Sequence, residues 1–209
     1  MRPKHFNAPD TSGEAPKDKK KVAIAIHPLG MYENRQNKEF IQAMFDNPNF
    51  DLTVAVAYGK QYDDPDWSLF VRAKQVISSP LFTGADIASG KIKYHIIKPE
   101  DFSHLFETAK ELQITLMGGE SPETKLATGC HRAAFHELIK WFFDQRNLVH
   151  ETMKIYIPFK SLFTAFSLPV DYHDEKWVEL FRQKYAPEHP CKAVVGKSGA
   201  IFTFRKQKT

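Results

Sequence analysis

Two cysteines, Cys130 and Cys191, are all that 209 residues carry, too few for a disulfide framework. No stretch approaches the roughly 18 apolar residues that a membrane-spanning helix needs. The opening "MRPKHFNAPDTSGEAPKDKKK" lacks the apolar segment of a signal peptide. No internal repeat and no inter-domain linker stand out. Together these absences point to a reducing, cytoplasmic setting without membrane contact. A core is well provided for, since 42% of the residues are hydrophobic and 17 are phenylalanine.

The net charge of +4 is unevenly placed. Residues 1–21 carry six Lys/Arg against three acids, and residues 192–209 carry five Lys/Arg and no acid. The body between them is therefore acidic, which argues against one large nucleic-acid-binding surface. Basic ends of this kind are solvated, or give a weak attraction to RNA or an acidic partner.

Residues 1–20 read as a flexible basic tail and 21–209 as a single domain. From Lys21 the pattern alternates. "KVAIAI" (21–26) is a continuous apolar run of the kind a doubly covered strand requires. "NRQNKEFIQAMF" (34–45) has helical spacing, "FDLTVAVAY" (50–58) is a strand, and "PDWSLFVRAKQVI" (65–77) reads as a helix. A strand is predicted at 91–97 and a helix at 98–113, its stripe Phe102, Leu105, Phe106, Ala109 and Leu112. "ITLM" (114–117) is a short strand stopped by Gly118-Gly119. The longest helix signal runs over 130–149, with Phe135, Leu138, Ile139, Phe142 and Val149 on one face. "MKIYIPF" (153–159) is a strand. A last helix carries Trp177, Val178, Phe181 and Tyr185, with Asp171 or Asp174 as its N-cap. The chain closes on a hairpin around "GKSG" (196–199). Alternation of this kind predicts an α/β fold, a Rossmann-like three-layer sandwich with a mainly parallel sheet and the C-terminal hairpin at one edge.

In such a sheet ligands bind beyond the carboxyl ends of the strands. Residues 27–37 leave the first strand and feed a helix N-terminus, whose free N–H groups favour an anion. Gly30 permits close backbone approach, and Asn34, Arg35 and Asn37 carry donors for phosphate or carboxylate. His27 stands at the strand end, as a general acid or base would; the alternative is that His27-Pro28 shapes the turn and Asn34 caps the helix. "MGGESPETK" (117–125) is a second candidate loop, in which Gly118, Gly119, Glu120 and Ser121 would cradle phosphate or form a plain turn.

Other constellations carry less. His131 and His136 lie five apart, where a helical zinc pair needs four, so no metal site is assigned. Cys130 is either a reactive thiol at a helix N-terminus or a small buried hydrophobe. "GKSG" lacks the earlier glycine of a phosphate-binding P-loop, since Cys191 stands there, and it leads into a strand.

The strand, His27-Pro28 and then Asn34 resemble the start of flavodoxin-like quinone reductases, which implies a flavin phosphate in that loop. The serine expected there is missing, and "SSPLFTG" (78–84) only partly matches their later loop. "AIHPLGMY" is also similar to the first strand and loop of cyclodipeptide synthases, tRNA-using transferases with a Rossmann-like fold. His27 stands where those enzymes place a nucleophilic serine. No cofactor is assigned on either resemblance. The expected function is a small-molecule-binding enzyme of transferase or hydrolase type. Its ligand would be phosphorylated or nucleotide-like, with His27 and Glu120 as the catalytic pair and Gly30, Asn34, Arg35, Asn37, Gly118, Gly119 and Ser121 around the ligand. The alternatives are a flavodoxin-like reductase, a tRNA-using transferase, or a non-catalytic protein- or RNA-binding module.

Overall fold

The computed structural model describes residues 18–26, 35–58, 75–79, 109–119, 130–144, 151–163 and 170–206; for 35–38, 57–58 and 75–79 it describes the backbone alone. The elements are β1 (Lys19–Ile26), α1 (Arg35–Phe45), β2 (Leu52–Tyr58), β3 (Gln75–Ser79), β4 (Glu111–Gly118), α2 (Cys130–Asp144), β5 (Thr152–Pro158), a 3-10 turn (Phe159–Ser161), α3 (Glu175–Lys184), β6 (Cys191–Val195) and β7 (Gly199–Arg205). They form one seven-stranded sheet in the order β3-β2-β1-β4-β5-β7-β6. β3 to β5 run parallel through the middle, and β7 is antiparallel to both β5 and β6. The fold is therefore the three-layer α/β sandwich expected, with the β6–β7 hairpin at one edge.

Strand alternation sorts the two layers of helices. Val22, Ile24 and Ile26 of β1 join Leu112, Ile114 and Leu116 of β4 in one core that contains Phe135, Leu138 and Phe142 of α2 and Phe181 of α3. Ala23 and Ala25, pointing the other way, meet Ile41 and Phe45 of α1 together with Met117 and Phe163. Successive side chains on a strand take opposite faces, so α1 covers one face while α2 and α3 cover the other. Alanine on the α1 side permits a close helix; β-branched residues fill the deeper side.

The larger core is rich in rings. Phe135 lies 4.8 Å from Phe202 and 5.2 Å from Tyr185, and Phe181 stacks on Tyr185 at 4.1 Å. These contacts tie α2, α3 and β7 together. Phe142 is fully buried and Phe163 nearly so, as core residues; Phe143, half-buried, packs against the same cluster.

Two predicted helices are corrected. Gln75–Ser79 is strand β3, so the helix drawn over 65–77 cannot extend through 75–77. β4 starts at Glu111, so the helix over 98–113 cannot include its last residues, and Leu112 is a strand residue. In both places a short apolar run suits either period, and pairing with a neighbouring strand decides it. The predicted strand at 91–97 lies outside the described residues.

Candidate functional site

The strand order reverses between β1 and β4: β2 and β3 lie to one side of β1, and β5 lies beyond β4. At such a switch point the connections leave in opposite directions and open a crevice at the carboxyl ends of the strands. Register sets the two ends side by side, because Ile26 pairs with Gly118 as the last residues of β1 and β4. His27 follows Ile26 in the chain, and Glu120 and Ser121 follow Gly119. The two candidate loops thus start from adjacent strand ends.

Gly118 and Gly119 have φ of +67° and +76°. A side chain is disfavoured there for backbone reasons and for space as well. A Cβ on Gly118 would stand 2.6 Å from the Ile26 carbonyl oxygen, and one on Gly119 would stand 3.0 Å from His131 Cβ and 3.2 Å from Cys130 Sγ. The chain can therefore leave β4 hard against both β1 and the first turn of α2 only as glycine. The Phe163 N–H makes a long bond of 3.5 Å to the Gly119 carbonyl, which brings the segment after the 3-10 turn to the same place.

Of the other predicted site residues, Arg35 and Asn37 belong to the first turns of α1, whose backbone begins at Arg35. His27, Gly30, Asn34, Glu120 and Ser121 lie outside the described residues.

The first turn of α2 lies against Gly119, a contact that the sequence alone does not reveal. Cys130 begins the helix, half-buried against the larger core, with Gly119 beside its sulfur. His131 is fully buried, its Nε2 3.2 Å from the Leu116 carbonyl of β4 and its Nδ1 2.7 Å from the Tyr185 hydroxyl. A carbonyl only accepts, so Nε2 carries the proton and Nδ1 accepts from the tyrosine O–H. Burial lowers the pKa of His131 to about 4, opposed by the bond to Leu116, so the ring is neutral at physiological pH. Burial also holds the Tyr185 hydroxyl well above its ordinary range. The ring thus clamps α2 and the end of α3 to β4, just before the two glycines.

His136 points elsewhere: Nε2 lies 3.4 Å from the Lys184 carbonyl, which also accepts from Arg132 Nε at 2.6 Å. The two histidines serve separate partners, and among the described residues no group of three or more His, Cys, Asp and Glu converges as metal ligands do.

A recess of about 970 Å³ lies away from this place, between α3 and the hairpin end, bordered by His173, Lys176, Glu179 and Lys197. Its walls carry charges of both signs on α3 and the β6–β7 turn, and none of the described residues lining it belongs to β1 or β4.

No family model and no curated protein matches the chain. Solved structures similar to it include a fibrillarin/Nop5p complex (10% identity, 90% of this chain and 73% of that one, TM-score 0.33). The methyltransferase domain of a bacterial CtHen1-CN is also similar (10% identity, 90% of each chain, TM-score 0.32). A third is Aeropyrum pernix fibrillarin in complex with natively bound S-adenosyl-L-methionine (11% identity, 91% and 68%, TM-score 0.31). At scores this low the likeness adds nothing to what the strand order itself says: an α/β sheet whose order reverses between β1 and β4.

Proposed function

We propose that the chain is a cytoplasmic small-molecule enzyme of transferase or hydrolase type that binds a phosphorylated or nucleotide-like ligand at the β1/β4 switch point. The observation that carries this reading is the pairing of Ile26 with Gly118, followed by two glycines in the left-handed region. A backbone without side chains at a strand end lets an anion approach main-chain N–H groups, and the N-terminus of α1 follows the neighbouring strand. In this reading Gly30, Gly118 and Gly119 admit the ligand. Asn34, Arg35, Asn37 and Ser121 hold its anionic group, and His27 and Glu120 exchange protons with the reacting group. Stabilising the anion at fixed dipoles while a nearby side chain moves a proton is the chemistry such a crevice supplies.

The test is a thermal-shift panel of nucleotides, sugar phosphates, flavins, nicotinamide cofactors and S-adenosyl-L-methionine. It is run on the wild-type chain and on a His27→Ala/Asn34→Ala double variant. A compound at 100 times its dissociation constant stabilises by about 2.7 kcal/mol. A shift present in the wild type and lost in the variant supports the site; an equal shift in both moves the ligand elsewhere. A flavin hit with a yellow protein would replace transfer or hydrolysis by flavin-dependent reduction.

A further inference from the structure

The sequence assigns the basic residues of 192–209 to a solvated end, yet Lys192 and Arg205 lie within strands β6 and β7. Alternation and register place them on one face. Across β5, β7 and β6, Lys154, Thr203 and Lys192 form one row and Tyr156, Ile201 and Val194 the next, with Arg205 opposite Thr152. This is the α1 side of the sheet, and here it is open: Tyr156 is 36%, Ile201 44% and Val194 55% exposed. The other face of β5 and β7, with Ile155, Phe202 and Phe204, is buried.

Among the described residues, cations outnumber acids on this face. Lys154 Nζ lies 2.9 Å and Lys19 Nζ 3.6 Å from the same Glu111 oxygen, so one carboxylate is shared by two cations. Lys192 and Arg205 are exposed and make no ion pair among the described residues. The Tyr156 ring is held against the sheet by Gly199, where a Cβ would stand 2.8 Å from Cε2 and 3.2 Å from the hydroxyl. It is thus a fixed, half-open aromatic plate with aliphatic neighbours, bordered by cations.

We propose that this face binds a single-stranded nucleic acid, with phosphates on Lys19, Lys154, Lys192 and Arg205 and a base stacked on Tyr156. An acidic peptide would satisfy the cations and leave the exposed ring and its aliphatic neighbours unused. An unpaired base covers them, and a duplex keeps its bases inside. The acidic body of the chain does not oppose this, because among the described strand residues of this face Glu111 is the one acid.

Fluorescence anisotropy with a labelled oligouridylate of about fifteen nucleotides tests it on the full chain. Neutralising about four phosphates of a single strand gives a slope of log K against log[salt] near −3. Lys192→Glu/Arg205→Glu should weaken binding at least about tenfold and flatten that slope. Tyr156→Ser should weaken it about tenfold while leaving the slope, and Tyr156→Phe, which keeps the ring, should bind as the wild type does. These are surface changes, and circular dichroism of each variant confirms that it is folded. No binding at low salt overturns the proposal, as does binding indifferent to Tyr156→Ser and to the charge reversals. Displacement by polyglutamate or by a duplex at equal phosphate or carboxylate concentration overturns it too, assigning the face to an acidic protein or to duplex recognition.

Discussion

His131 is a polar ring in an apolar core, and its cost is met by two hydrogen bonds, to Leu116 and Tyr185. Because folding lowers the pKa of this base from 6.5 to about 4, the unfolded chain binds the proton first as pH falls. Stability is complete above about pH 6.5 and is lost progressively down to about pH 4, by about 3 kcal/mol in all. Urea denaturation at pH 7.5 and pH 4.5 reads this directly. His131→Gln should be less stable at pH 7.5 and should show a smaller loss between the two pH values; an equal loss in both proteins would remove His131 as its source. The two glycines allow an equally direct test. Gly118→Ala combines a left-handed φ with the contact to the Ile26 oxygen and should cost about 2 kcal/mol or more. At Gly196 a Cβ would meet nothing closer than 3.7 Å, so Gly196→Ala should stay within about 0.5 kcal/mol of the wild type in the same denaturation experiment.

Among the elements, α3 shows how local signals and packing divide the labour. The Asp174 carboxylate accepts from the Lys176 N–H at 3.0 Å, capping the helix, while Asp171 accepts from His173 N–H in the preceding turn. At the other end the Lys184 carbonyl accepts from Arg132 and His136 of α2. Asp174→Ala should cost about 1 kcal/mol, readable as a lower urea midpoint with an unchanged slope, whereas Asp171→Ala should cost less. The N-cap choice lay open in the sequence, because two aspartates stand within reach of the helix start. Strands β1, β2 and β5 and helices α1, α2 and α3 were legible because their apolar periods are long or unbroken. "QVISS" and "ELQ" were not, since Leu112 follows Ala109 at a helical interval and also alternates with Ile114 and Leu116. Only the neighbouring strands resolve that ambiguity. The bonds from Arg132 and His136 to Lys184 join residues about fifty positions apart, and no local pattern announces them.

For the whole molecule, the order β3-β2-β1-β4-β5-β7-β6 is what converts two separate loops into one candidate site. The sequence proposes that residues after the first strand and after Ile114–Met117 bind a ligand, but adjacency depends on which strands pair. Ile26 opposite Gly118 supplies it. The same topology leaves the α1 side of β5, β7 and β6 open, so a basic segment read as a solvated end becomes a patterned surface. The contribution of α2 was hidden for a related reason: His131 and Cys130 are next to Gly119 in space, while ten residues separate Gly119 from Cys130 in the chain.

The most direct measurement is amide hydrogen exchange of the full chain, with and without the panel compound that raises Tm most. Slower exchange at the carboxyl ends of β1 and β4, around Ile26 and Gly118-Gly119, and at the first turn of α1 is the predicted result. Protection confined to α3 and the hairpin end around Lys197, with the β1 and β4 ends unchanged, would contradict a ligand site at the switch point.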